Sequence, residues 1–263
     1  MIRALFVAFI AAGTLVATAP AARAVDKDVF KCEDANAKKS AKLAADIFKC
    51  IGKCTKRRQL GQDASAVCTD PPDPETQACV DKAAAKYTKV ILQKCEGLIP
   101  ACGEYAPFSP ADTAGYAADQ VAQNAPLTLS LVEPLAFCAP ITDPKDKTQV
   151  ATFKCEAKAA KSAIGFATSS IKCLGKCAKR RDQKGEVGLD CEITSPGLEA
   201  ETVACIDGAR AKAVAAIDKA CIEKAGGFPD CGVYSGAVSG MQVTDFIDLQ
   251  LQTSDPSEDY CAL

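Results

Sequence analysis

The chain has 263 residues, 31 Lys and Arg against 33 Asp and Glu, 16 cysteines, and neither histidine nor tryptophan. Without imidazole there is no Ser-His-Asp or Cys-His nucleophile, no His-ligated catalytic zinc and no His-ligated or c-type haem. A net charge of −2 argues against a general nucleic-acid binder, and 48% apolar residues argue against low-complexity disorder.

Residues 1–24 read as an export signal peptide. Met1-Ile2-Arg3 is a positive start, Ala4 to Ala17 an apolar core, and Ala22-Arg23-Ala24 a small-x-small cleavage site. The apolar core is shorter than the roughly 20 residues that a membrane span needs. No twin-arginine pair is present and no cysteine follows the cleavage site, so export in an unfolded state without a lipid anchor is expected. No later stretch predicts stable membrane insertion. The expected location is secreted, periplasmic or extracellular, where thiols oxidise. All the cysteines are therefore read first as disulfide partners: Cys32, Cys50, Cys54, Cys68, Cys79, Cys95, Cys102 and Cys138, then Cys155, Cys173, Cys177, Cys191, Cys205, Cys221, Cys231 and Cys261.

These two sets of cysteines start with the same intervals, 18, 4 and 14 residues. Their surroundings match as well. Phe30-Lys31-Cys32-Glu33 pairs with Phe153-Lys154-Cys155-Glu156, and Cys50-Ile51-Gly52-Lys53-Cys54 with Cys173-Leu174-Gly175-Lys176-Cys177. The chain reads as an internal duplication, with repeat 1 over 25–143, repeat 2 over 144–263 and a linker near Ala139 to Lys147.

Within each repeat, Ala- and Lys-rich sequence predicts a first helix over about Val29 to Arg58, and its copy over Thr152 to Arg181. At about 100° per residue, Cys32, Leu43, Ile47, Cys50 and Cys54 share one face, as do Cys155, Phe166, Cys173 and Cys177. Gly52 and Gly175 mark either close helix approach or a loss of helix stability. Second helices are expected over about Pro74 to Glu96 and Glu199 to Lys224, with Val80, Ala84, Tyr87, Ile91 and Cys95 on the core side. Antiparallel packing would let Cys32 meet Cys95, and Cys50 or Cys54 meet Cys79. Against this, the 16 residues from Cys79 to Cys95 turn a helix by about 160° beyond whole turns, so the two point apart. Either one of the two at a frayed end, or Cys95 bonded to Cys102, is open. In the tails, Leu127, Leu129 and Leu131, and Ile247, Leu249 and Leu251, alternate with polar residues and suggest a short strand. The fold class is thus mainly α: two tandem disulfide-stapled antiparallel helical hairpins, each with a mostly irregular tail holding room for one strand. Disulfides, each worth about 2–4 kcal/mol, offset the thin packing that alanine provides.

Two recurring constellations carry candidate chemistry. Cys50 and Cys54, and Cys173 and Cys177, lie one helical turn apart. They are either structural staples, thiolate ligands for Cu(I) or another soft metal, or thiol-exchange pairs, though redox motifs usually have two intervening residues. A thiolate metal store is the alternative to the staple reading. Basic clusters Lys53, Lys56, Arg57 and Arg58, and Lys176, Lys179, Arg180 and Arg181, either complement helix C-termini or contact an anionic polymer or protein partner. Lys38, Lys42 and Lys86 read as a solvated face, and Glu33 and Glu156 as favourable charges near helix starts. Cysteine-stapled plant hairpin inhibitors carry Cys-x-x-x-Cys on both helices, whereas the second helices here carry Cys79 and Cys95.

The segments Lys172-Cys173-Leu174-Gly175-Lys176-Cys177-Ala178-Lys179, Thr202-Val203-Ala204-Cys205-Ile206-Asp207 and Ala216-Ile217-Asp218-Lys219-Ala220-Cys221 resemble secreted cysteine-rich proteins of environmental bacteria. The resemblance covers the hairpins and not the tails. It implies an exported helical repeat and supplies no function. No catalytic constellation and no cofactor site is recognisable. The expected role is a non-catalytic structural or binding module of the envelope or extracellular space.

Overall fold

The structure is a computed structural model and describes residues 26–69, 71–100, 105, 107–137, 141–186 and 188–254. The expected signal peptide over 1–24, and Cys102, Cys138 and Cys261, lie outside the described residues. Helix α1 spans Lys27–Gln59, α2 Pro74–Cys95, α3 Thr113–Ala136, α4 Lys147–Lys184, α5 Ala200–Asp218 and α6 Gly240–Ser254. A π turn, Lys219–Glu223, prolongs α5. None of the described helices is long and apolar enough to cross a membrane.

Short polar side chains set the helix starts. Asp26 accepts hydrogen bonds from the amides of Asp28 and Val29, and Asp146 from those of Thr148 and Gln149. Asp73 accepts from the Thr76 amide, and Glu199 from those of Glu201 and Thr202. Each carboxylate satisfies amides that the helix itself leaves unpaired. Helix α4 ends on Gly185, whose φ of 69° suits the left-handed conformation that glycine adopts without a steric cost.

Hairpins α1–α2 and α4–α5 are antiparallel and stapled alike. Cys32–Cys95, Cys50–Cys79 and Cys54–Cys68 close the first. Cys155–Cys221, Cys173–Cys205 and Cys177–Cys191 close the second. Cys231 is also disulfide-bonded, and no described cysteine is free. The opposed directions of Cys79 and Cys95 are accommodated by flanking. About 100° per residue puts them on either side of the stripe formed by Val80, Ala83, Tyr87 and Ile91. Cys95, the last residue of α2, is fully buried, while Cys79 sits half-buried on the opposite flank.

The tails differ from expectation. No strand occurs among the described residues, and both alternating segments are helical. Leu127, Leu129 and Leu131 lie in α3; Ile247, Leu249 and Leu251 lie in α6. An alternation of five residues is too short to override leucine's preference for helix. Helix α3 packs on α1 and α2, and α6 on α4 and α5, so each unit is a three-helix assembly. Thr113 ties α3 to the end of α2 by donating to the Cys95 carbonyl at 3.0 Å.

The units meet through α1 and α4, which run antiparallel. Phe30 and Ala37 of early α1 cluster with Ile171 and Ala178 of late α4. Phe48 of late α1 clusters with Phe153 and Ala160 of early α4. Phe137 stacks between Phe48 and Phe153, with centroids 5.6 and 5.7 Å away. A Cβ on Gly52 would lie 3.4 Å from the Phe137 ring, an ordinary van der Waals contact, so this packing does not by itself require glycine. The units are thus joined by helix packing. Glu33 and Glu156 are fully buried, beyond the first helical turn where the dipole acts. Their reading as charges that favour the dipole near a helix start does not hold: Glu33 instead lies within electrostatic reach of Arg181 from the other unit.

Candidate functional site

The two basic clusters are not brought together. Because α1 and α4 are antiparallel, their C-terminal ends lie at opposite ends of the pair. Within each cluster the arginines face inward. Arg57 pairs with Asp73 at 3.2 Å and with Glu75, and donates to the Thr76 hydroxyl at 3.4 Å. Arg180 pairs with Glu186 at 2.8 Å, Glu201 at 2.6 Å and Glu199 at 3.4 Å. Both arginines therefore clamp the end of the first helix to the capped start of the second. Arg181 forms a two-pronged contact with buried Asp182, at 2.6 and 3.0 Å. Arg58 is half-buried. Lys53, Lys56, Lys176 and Lys179 are the exposed members.

The clamps shift the ionisation of their members. Burial raises the Asp73 carboxyl, but hydrogen bonds from Thr76 and the Arg57 charge outweigh it and hold it below its usual range. The Glu201 amide, the Thr202 hydroxyl and the Arg180 charge do the same for Glu199 against burial. The hydrogen bond with Arg180 lowers Glu186, and Glu186 in turn raises Arg180. These groups are held ionised as internal ties, which is a structural use of the charges.

The four cysteines considered as metal ligands are each bonded elsewhere: Cys50 to Cys79, Cys54 to Cys68, Cys173 to Cys205 and Cys177 to Cys191. A disulfide sulfur is not a thiolate, so a soft-metal site there requires reduction first.

Cationic groups converge instead along the seam between α4 and α5. A hollow of about 630 Å³ is walled by Lys172, Lys176 and Lys212 over a floor that includes Gly165, Gly208 and Ala213. Toward the α4 N-terminus a second hollow, of about 660 Å³, is walled by Lys154, Lys158, Lys219 and Lys224 over alanines. These residues recur every three or four positions on each helix and so form one face. No carboxylate lines either hollow. All seven lysines are exposed, and the ion pairs of this unit use Arg180, Arg181 and Arg210 instead.

Repeat 1 differs at the equivalent place. There the hollow is about 360 Å³ and Asp46 is on its wall. Asp46 pairs with Lys42 at 3.2 Å and Lys49 at 2.7 Å. Tyr87 fills the position that Ala213 holds in repeat 2, its hydroxyl donating to Asn36 at 2.7 Å. Lys42 and Lys82 stand where repeat 2 has Gly165 and Gly208. A side chain added at either glycine would meet nothing within 4 Å. Packing therefore does not require glycine there, although each costs its helix about 0.5–1 kcal/mol relative to alanine.

No family model, curated protein or solved structure matches the chain. The site is accordingly read from its own geometry. Lys176 belongs to both the expected basic cluster and the groove. It also lines a smaller hollow of about 300 Å³ with Lys179, Lys27, Lys31 and Lys38, where α4 ends against the start of α1. Lys53 and Lys56 lie away from this unit's seam. Sequence reasoning missed Lys154, Lys158, Lys172, Lys212, Lys219 and Lys224 because lysines on helices read as a solvated face. The available signals were the stretches without acidic residues, 157–181 on α4 and 208–217 on α5, and the change from Tyr87 to Ala213 between the two halves.

Proposed function

We propose that this is an exported, non-catalytic binding module that holds an anionic polymer along the α4–α5 groove. One observation carries the reading: seven exposed lysines line two successive hollows along the α4–α5 seam, and no carboxylate among the described residues lines either. Like charges at this density repel one another, and an anionic ligand that bridges both walls relieves the repulsion. The disulfides suit a module that works in an oxidising space, and the leader-like 1–24 segment supports export to one. Hairpins stapled at both ends hold the two walls at fixed separation, which reduces the ordering cost of binding. The partner surface thus moves from the basic helix ends to the seam between helices, with Lys176 shared.

Retention of the oxidised protein on dextran sulfate, measured against salt, tests this. The triple variant Lys172→Glu, Lys176→Glu and Lys212→Glu should elute at much lower salt. Lys53→Glu with Lys56→Glu should elute with the parent. Absence of retention by the parent, or equal retention by the triple variant, defeats the reading.

A further inference from the structure

Resting on that reading, we propose that the groove takes an acidic polysaccharide, with its sugar rings seated on the helix backbone at Gly165 and Gly208 and its carboxylates meeting lysines on both walls. The argument begins with the distribution of charge. From Lys154 to Lys176 the α4 wall runs for about 33 Å at 1.5 Å per residue. The Cys155–Cys221 and Cys173–Cys205 bonds set the antiparallel register, which puts Lys219 level with Lys158 and Lys212 level with Gly165. A cation therefore recurs every one to two turns, or about 6–10 Å. A ligand with a single charged head would use one end of such a groove. A chain with an anion on each unit uses all of it.

The floor then selects among polyanions. Between the lysines it is built of Gly165, Gly208, Ala204, Ala209 and Ala213, beside the Cys173–Cys205 disulfide. It is mostly apolar, with the Ser162 and Ser169 hydroxyls on the α4 side, and the two glycines leave it without side chains at mid-groove. A pyranose ring has an apolar C–H face and carries its carboxylate and hydroxyls at the edge, so it lies flat there with polar groups toward the walls. Nucleic-acid bases would need exposed aromatic or guanidinium planes to stack on. Phe166 is 1% exposed and lies under the Arg210 guanidinium, 5.5 Å from the ring centroid. An extended acidic peptide would need partners for its own backbone groups. The hollow offers two hydroxyls, Ser162 and Ser169, too few for a strand's worth of backbone groups, and that of Ser169 already donates to the Gly165 carbonyl at 2.7 Å.

The experiment compares polygalacturonate with poly-L-glutamate, matched in length and charge, titrated calorimetrically into the oxidised full chain. Both carry one carboxylate per unit, and only the first has rings. The parent should bind polygalacturonate about tenfold more tightly or better, a difference of about 1.4 kcal/mol. Gly165→Leu with Gly208→Leu fills the floor and should abolish that preference, while polyglutamate binding changes by less than about threefold. Leucine favours helix and open space receives it, so the variant keeps its fold, which its thermal transition verifies. Should that transition be lost, Gly165→Ala with Gly208→Ala takes its place, with a smaller drop in preference expected. Equal parent affinities, tighter polyglutamate binding, or a preference that survives the filled floor overturns the polysaccharide assignment and leaves the anionic-polymer reading standing. Binding of neither polymer removes both.

Discussion

Tyr87 of α2 donates its hydroxyl to Asn36 of α1 at 2.7 Å, with both side chains buried. This bond fills the seam of hairpin 1 where Ala213 leaves the seam of hairpin 2 open. Tyr87→Phe should cost about 1–3 kcal/mol, because Asn36 then keeps a buried acceptor with one partner fewer. Tyr87→Ala should cost more and widen the seam of repeat 1 toward that of repeat 2. Chemical denaturation checks the first, and a second polyanion-binding stoichiometry in the Ala variant would reveal the second.

Glycines of opposite consequence sit in neighbouring helices. A Cβ on Gly240 would lie 2.9 Å from both the Ile217 Cβ and the Val214 carbonyl oxygen, so α6 can approach α5 only because this position is bare. Gly240→Ala should destabilise by about 1–3 kcal/mol through overpacking. Gly208→Ala meets nothing and should stabilise by up to about 1 kcal/mol through helix propensity. Thermal midpoints moving in the same direction would contradict this pair of expectations.

The clamps predict acid sensitivity. Asp73 and Glu199 have folded-state values below their ordinary ones, so their contribution is complete above those ordinary values, about 4, and is lost as pH falls through the lowered values. Asp73→Asn keeps a side-chain oxygen suited to capping α2 but removes the charge facing Arg57. It should cost about 0.5–1 kcal/mol near neutral pH and flatten the loss of stability below pH 5. An unchanged slope in denaturant midpoints from pH 6 to 2.5 would show that the pair does not couple to folding.

Protein recovered oxidised from its native compartment should add almost no mass on alkylation under denaturing conditions. Cys32→Ser with Cys95→Ser opens a linkage spanning 63 residues and should cost about 3–4 kcal/mol. Extensive labelling at Cys50, Cys54, Cys173 and Cys177 would instead return the soft-metal alternative to first place, with copper analysis as the next step.

Much of the scaffold was legible because several local signals agreed. Cysteines 18 residues apart complete five helical turns, so Cys32 and Cys50 had to share a face, as had Cys155 and Cys173. Asp73 before Pro74 marked the start of α2. The tails were misread because Leu127 to Leu131 fits two periods over so short a run, and the packing of α3 as a helix on α1 and α2 is decided by the tertiary fold. The site was less legible still. Nothing local distinguishes Arg57, folded back on the cap of α2, from Lys56, which faces solvent. The lysine groove arises only when α4 and α5 are set side by side in one antiparallel register.

The contacts between Phe30 or Ala37 and the late part of α4 recur between Phe153 or Ala160 and the late part of α1, with the partners exchanged. That reciprocity is the signature of an isologous, two-fold interface, in which one patch recognises a copy of itself. A substitution on such a patch counts twice in a homodimer, but here the two matching patches lie in one chain and can vary separately. Freed from identity, one half can keep Tyr87 and a filled seam as ballast for folding, while the other opens its seam at Ala213 without risking the joint that holds them together.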